Sequence, residues 1–152
     1  MKIGLISDTH GLLRPQALDA LQGCEHLIHA GDIGKSAILD TLRELAPLTA
    51  VRGNNDEDDT WASDVPYSEV LQVEGVGIYV THILADVPQP LPDDVQVVVV
   101  GHSHKPLIEQ RDGVLFINPG SAGPRRFKLP ISVALLHIDE QGVRAELIEL
   151  AV

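Results

Sequence analysis

The strongest constraint on the fold is a series of short, unbroken apolar runs, each leading to a side chain able to bind a cation. Lys2–Ser7, His26–Ala30, Leu48–Val51 and Val97–Val100 are four to six residues long. They lack the alternation of a half-exposed strand and read as strands covered on both faces, the pattern of a parallel sheet. The first three alternate with two helical segments. One starts at Pro15, a residue suited to a first helical turn, and reaches about Leu21; the other covers about Ser36–Leu45, with Ile38, Leu39, Leu42 and Leu45 on one face. The chain therefore opens as βαβαβ.

Beyond residue 67 the pattern changes to hairpins. Val70–Val73 and Val76–Thr81 flank Glu74-Gly75, Leu107–Gln110 and Val114–Ile117 flank Asp112-Gly113, and Ile131–Ile138 and Val143–Leu150 flank Gln141-Gly142. The proline-rich segment 86–94 is expected to be a flexible loop. At 152 residues the chain fits a single domain, 1–152, with a normal core and no need of disulfides or a structural metal.

Eleven basic against twenty-two acidic residues leave a formal charge of −11, which opposes sequence-independent binding to nucleic acid or anionic lipid. Long duplex nucleic acid is not an expected partner. Arg125, Arg126 and Lys128 nevertheless fall within four positions, and a local anion site can form there. Cys24 is the only cysteine, and the first apolar run is interrupted at Asp8, too soon for a secretory signal or a membrane span. A reducing, cytoplasmic setting without membrane attachment is the expectation.

The polar residues after the strands carry the chemistry. Asp8 and His10 follow the first, Asp32 the second, Asn54 the third, His82 the hairpin strand, and His102 and His104 the valine run. In open α/β sheets ligands bind at the carboxyl ends of strands, so residues distant in sequence can converge there. Imidazoles, carboxylates and an amide supply nitrogen and oxygen donors for two divalent ions, and no thiolate is present, which favours an open site for manganese, iron, cobalt, nickel or catalytic zinc. Each fragment alone is equally an ordinary turn. The set, in order and each after a strand, is hard to obtain from unrelated turns.

Asp8-Thr9-His10, Gly31-Asp32, Gly53-Asn54-Asn55-Asp56, His82 and Gly101-His102-Ser103-His104 together resemble the motifs of the calcineurin-like metallophosphoesterase superfamily. The resemblance runs from Ile3 to about Ser121, and Ile117-Asn118-Pro119-Gly120-Ser121 is similar to the small bacterial and archaeal phosphodiesterase branch. It implies an α/β fold of two packed mixed β-sheets flanked by helices, a four-layer sandwich. It also implies that Asp8, His10, Asp32 and His104 hold one ion, and that Asp32, Asn54, His82 and His102 hold the other. Asp32 would bridge, and Asp32, Asn54 and His102 would be the catalytic residues. Manganese is the first expectation for the metal, with iron, zinc, nickel or cobalt as alternatives. The implied reaction is in-line attack of a metal-bridging hydroxide on a small, nucleotide-like phosphodiester.

Two positions depart from the family pattern. Many members have histidine where this chain has Asn55, and an amide cannot act as a general acid, a function that typically contributes ~10²–10⁴-fold. Many also have glycine where this chain has Ile83. Substrate-binding candidates are Asn55, Asn118, Ser121 and Arg125, although Asn118-Pro119-Gly120 is also an ordinary turn and surface arginines need no function. In the acidic run Asp56-Glu57-Asp58-Asp59, Asp56 is expected to orient its neighbours and the other three to form a solvated rim. His26, His29 and His137 read as structural. A phosphomonoesterase or nucleotide pyrophosphohydrolase on the same metal pair is the alternative activity. A non-catalytic scaffold of the same fold, in membrane-coat assembly, and a homo-oligomeric state are further expectations to weigh.

Overall fold

In the computed structural model, which describes residues 1–152, three of the four apolar runs become interior strands of two five-stranded mixed sheets, while Leu48–Val51, expected to be covered on both faces, supplies an edge strand whose residues Leu48–Ala50 are only partly buried because nothing pairs beyond it. In chain order the elements are β1 (Lys2–Ile6), α1 (Pro15–Ala20), β2 (His26–His29), α2 (Ser36–Leu45), β3 (Leu48–Ala50), β4 (Ser68–Val73) and β5 (Val76–Thr81). Then follow β6 (Val95–Val99), β7 (Leu107–Arg111), β8 (Val114–Asn118), β9 (Ser132–Asp139) and β10 (Gly142–Glu149). The first sheet has the order β10-β9-β1-β2-β3 and the second β4-β5-β6-β8-β7. β1, β2 and β3 are mutually parallel, as are β5, β6 and β8; the three hairpins supply the antiparallel edges.

Alternation along the strands separates the core into layers. Ile3, Leu5, Ala134 and Leu136 of the first sheet meet Ile78, Val80, Val97, Val99 and Ile117 of the second, which glues the sheets face to face. The opposite face of the first sheet, with Ile6, Leu27, Val133 and Leu135, is covered by Ala17 of α1 and by Ile38, Leu39 and Leu42 of α2. The expected face of α2 is thus the buried one, except that Leu45 is only partly buried.

The outer face of the second sheet is covered differently. Val98, Val100, Tyr79 and Phe116 pack against Val87 and Leu91. The segment expected to be only a loop therefore forms an apolar lid on that sheet, following a short 3-10 turn at Leu84–Asp86. Its prolines break any regular element while Val87 and Leu91 still bury their side chains. No helix is long and apolar enough to cross a membrane. Every parallel strand, three per sheet, delivers its carboxyl end to the same side of the molecule, where the loops carrying Asp8, Asp32, Asn54, His82 and His102 meet.

Candidate metal centre

The loops that carry the candidate ligands are built from uncommon backbone. Asp8, His10, Asp32, His102 and His104 all have positive φ, between 46° and 74°, a region that costs non-glycine residues energy and that clusters at functional sites. Cross-links hold them there. The backbone N–H groups of Asp8, His10 and Gly11 donate to the carbonyls of Gly31, Asp32 and Ile33 at 2.8–2.9 Å, so the first two loops run as one ladder. Gly101 must be glycine because a Cβ there would collide with Ser7 Oγ and stand 2.9 Å from Asp8 Oδ2.

Asp8 is fully buried and its two oxygens have different surroundings. Oδ2 accepts from Ser7 Oγ at 2.7 Å and from the His102 backbone N–H at 3.1 Å, while Oδ1 is buried with no hydrogen-bond partner. Around Oδ1 lie His104 Nε2 at 3.5 Å, His10 Nε2 at 3.8 Å and His82 Nε2 at 3.8 Å. His10 and His104 bring their Nε2 atoms to 3.3 Å from each other. Asp32 Oδ2 lies 3.2 Å from His82 Nε2 and 3.6 Å from His10 Nε2, between the two halves of the centre. His82 Nδ1–H donates to the Ala30 carbonyl at 2.7 Å, which leaves the Nε2 lone pair facing the centre. His102 Nδ1 lies 3.2 Å from Asn54 Oδ1 at the exposed rim.

Two groups of donors can each hold a divalent ion: Asp8, His10 and His104, and Asp32, His82 and His102. The donor chemistry fits such ions, being nitrogen and oxygen only. So does the burial of Asp8 Oδ1 and His82 Nε2 without hydrogen-bond partners, since orphaned polar atoms facing one space are costly unless something binds them. His104 Nδ1 is likewise buried and unpartnered.

Electrostatics follow from the crowding. Burial raises the Asp8 carboxyl above its ordinary range, against the opposing pull of His82 and Ser7. Burial acts the same way on Asp32, but the His82 imidazole and the Asn55 N–H outweigh it and hold that carboxyl down at about 2. Burial depresses His104 to about 4, helped by the nearby Arg126 guanidinium and by His10.

Other sequence candidates take the following places. Asn55 is exposed but donates twice to Asp32, through its backbone N–H and its side-chain amide. Asn118 is buried; its amide donates to the Gly101 carbonyl and Ser103 Oγ, and its Oδ1 accepts from Gly120 N–H. Ser121 is buried, donates to the Asp8 carbonyl and accepts from Gly123 N–H. These two side chains tie down the loops above them, every polar atom of each already engaged in a hydrogen bond. Arg125 is exposed and donates to the Leu129 carbonyl within its own loop.

The acidic run divides sharply. Asp56 is fully buried and accepts backbone N–H bonds from Ile33, Gly34 and Gly53, each at 3.0 Å. Glu57 and Asp58 are exposed and Asp59 half-buried. His29 is buried: Nδ1 accepts from Gly31 N–H, and Nε2–H donates to Thr9 Oγ1, whose own hydroxyl donates to the Ile33 carbonyl. His26 pairs with Thr49, and His137 faces Glu146. Sequence reasoning did not single out Ser7 or Thr9, whose roles depend on loops brought together only by folding.

A cleft of about 350 Å³ opens beside Asn54 and His82, walled by Tyr67, Tyr79, Thr81 and Arg52, with Glu57 and Asp86 at its edge. Arg52 lies over the Tyr67 ring, 4.2 Å from its centroid, and donates to the Val65 carbonyl at 2.9 Å.

Residues 1–141 match the model of the calcineurin-like phosphoesterase superfamily domain. A probable metallophosphoesterase of Methanocaldococcus jannaschii is 34% identical over 99% of this chain and 82% of its own. The phosphodiesterase YfcE of Escherichia coli is 30% identical over 95% of this chain and 92% of its own; its solved structure, described as that of a phosphoesterase, gives a TM-score of 0.73 over 99% of this chain and 100% of the other. Vps29 of Entamoeba histolytica, solved with zinc, is 26% identical with a TM-score of 0.73 over 98% of this chain and 99% of the other.

Proposed function

This chain belongs to the calcineurin-like phosphoesterase superfamily and is a metal-dependent phosphoester hydrolase, and from that premise we propose that it is a dimetal phosphodiesterase acting on small, nucleotide-like diesters. The observation that carries the reading is the pair of donor groups on one sheet edge, with Asp32 Oδ2 between them and Asp8 Oδ1 and His82 Nε2 left unpartnered. Asp8, His10, Asp32 and His104 would hold one ion and Asp32, Asn54, His82 and His102 the other, manganese being the preferred metal. When bound, such ions supply an activated water and neutralise the phosphate in an in-line displacement.

The chain's own residues supply orientation. Ser7 and the His102 N–H fix one oxygen of Asp8, Ala30 fixes the His82 ring, and Asn55 fixes Asp32. With Asn55 at this position the chain presents no imidazole to protonate the leaving oxygen there, so good leaving groups are favoured. The cleft beside Asn54 and His82, walled by Tyr67, Tyr79, Thr81 and Arg52, has the position to receive the leaving group. A cytoplasmic setting is part of the reading, Cys24 being a buried free thiol.

Purified protein loaded with Mn²⁺ should hydrolyse bis(4-nitrophenyl) phosphate. Activity should vanish with chelator and in Asp32→Ala; full activity in metal-free buffer refutes the reading. Comparison of mono-, di- and pyrophosphate esters separates it from a monoesterase or pyrophosphohydrolase. The likeness to Vps29 keeps a scaffold role as the second reading, and that role prevails if metal-loaded protein turns over no phosphoester.

A further inference from the structure

Phe127 is 90% exposed, far beyond the next large apolar side chain, Tyr67 at 53%. Its backbone is left-handed, φ 54°, a conformation unfavourable for a bulky residue and usually given to Gly, Asn or Asp in a tight turn. The other non-glycine residues with positive φ are five candidate ligands, the turn residues Glu74 and Asp112, and Asp94. Phe127 is the apolar exception.

The turn that presents it is pinned at several points. Leu129 N–H donates to the Arg126 carbonyl at 3.1 Å, Arg125 reaches the Leu129 carbonyl at 3.3 Å, and Arg14 holds the Gly123 carbonyl at 3.2 Å. Phe127, Lys128 and Leu129 form one wall of a shallow hollow whose other wall is Ser103 and Lys105. Ser103 lies between the candidate ligands His102 and His104, so the hollow borders the metal centre.

The two flanks of the centre thus have opposite character. Lys105 and Lys128 line the hollow, and Arg126 directly precedes Phe127 in the same turn, in a chain whose formal charge is −11. The cleft beside Asn54 and His82 is lined by Glu57 and Asp86 against the single guanidinium of Arg52. A diester that carries a second anionic group is drawn to the first flank and repelled from the second.

We propose that the Arg126–Leu129 turn is a substrate-binding element for the retained side of an asymmetric phosphodiester, a nucleotide whose base stacks on Phe127 and whose additional phosphate is neutralised by Lys105, Arg126 and Lys128. The other ester group, which carries no additional anionic group, then departs through the cleft beside Asn54 and His82 and takes its proton from solvent. Stacking on an aromatic tolerates any base, so the element selects nucleotides as a class over other diesters. The proposal rests on the phosphodiesterase reading.

Two substrates with the same leaving group isolate the retained side: methyl 4-nitrophenyl phosphate and thymidine 5′-(4-nitrophenyl phosphate). Mn²⁺-loaded protein should prefer the nucleoside ester in kcat/KM. Phe127→Ala should reduce that preference by about fivefold to a hundredfold, mainly through KM, the span expected for loss of one stacked base. In saturation-transfer NMR on metal-free protein, the base protons of thymidine 3′,5′-bisphosphate should receive saturation from the wild type and much less from Phe127→Ala. Lys105→Glu/Lys128→Glu should weaken the bisphosphate more than thymidine itself. An unchanged preference together with unchanged saturation transfer in Phe127→Ala overturns the proposal. So does a change of oligomeric state in Phe127→Ala at constant preference, which makes the residue a contact between copies. Failure of the wild type to hydrolyse either ester would instead refute the phosphodiesterase reading.

Discussion

Asn55 holds both oxygens of Asp32: its backbone N–H donates to Oδ1 at 2.9 Å and its side-chain amide to Oδ2 at 3.0 Å. Oδ2 also lies near both His82 and His10, so the amide fixes the position of a carboxylate that stands between the two donor groups. Asn55→Ala retains the backbone bond and loses the other; Mn²⁺ affinity should fall by about tenfold or more, as for the loss of an outer hydrogen bond to a metal ligand. Asn55→His should instead raise the rate on alkyl leaving groups relative to nitrophenyl ones, by up to ~10² if the imidazole protonates the departing oxygen. A Mn²⁺ titration checks the first outcome and rates on a leaving-group series the second, where a ratio that does not move denies this position a role in proton transfer.

Metal should stabilise the fold as well as activate it. Asp8 Oδ1 and His82 Nε2 are buried without partners, and a ligand that binds only the folded state stabilises by about 2.7 kcal/mol when present at a hundred times its dissociation constant. For a chain of this size that corresponds to a rise in Tm of roughly 5–10 °C. Thermal scans with and without Mn²⁺ measure it, and Asp8→Asn and Asp32→Asn should remove most of the increment.

Much of this architecture could be read from the residues, and the exceptions share a cause. Buried runs such as Val97–Val100 and turn pairs such as Glu74-Gly75 identify strands and hairpins because their signal is local. The candidate ligands could be named because each follows a strand. The family resemblance supplied what local signals lack, the face-to-face packing of the two sheets. Asn118 and Ser121 offer polar groups suited to phosphate in sequence, yet folding places their partners, Gly101 and the Asp8 carbonyl, beneath the loops. The 86–94 segment has the composition of a loop, but Val87 and Leu91 still find an apolar sheet face. Phe127 escaped notice because exposure is a tertiary property.

Acid stability should depend on His29. Burial depresses this imidazole from 6.5 to about 3, and its Nδ1 must stay unprotonated to accept the Gly31 N–H. Well above pH 6.5 the ring is neutral in folded and unfolded chains, and its contribution to stability is fully present. As pH falls from there towards about 3, the unfolded chain takes up a proton that the folded chain refuses, and stability is lost at up to about 1.4 kcal/mol per pH unit. His29→Gln cannot titrate and should flatten that slope even if it lowers stability at neutral pH. Urea denaturation of metal-free protein at several pH values from neutral down to mildly acidic gives both slopes; equal slopes would show that His29 does not carry the acid dependence.

Asp56 joins the second and third ligand loops, and its removal should be among the most damaging single changes outside the metal ligands. Its carboxylate accepts N–H bonds from Ile33 and Gly34, directly after Asp32, and from Gly53, directly before Asn54. Asp56→Ala leaves three buried or half-buried N–H groups without a partner, at about 1–3 kcal/mol each before relaxation. A net loss of about 3–5 kcal/mol is expected once water reaches part of the gap. Asp56→Asn is not a benign replacement, because both oxygens accept and one would become an NH₂ facing a donor. The two loops also set the spacing of Asp32 and Asn54, so Mn²⁺ affinity should fall in either variant even at temperatures where the chain remains folded. Denaturation curves and metal titrations together distinguish this from simple unfolding: a variant that keeps both stability and Mn²⁺ affinity would show that the loops are held by their backbone ladder alone.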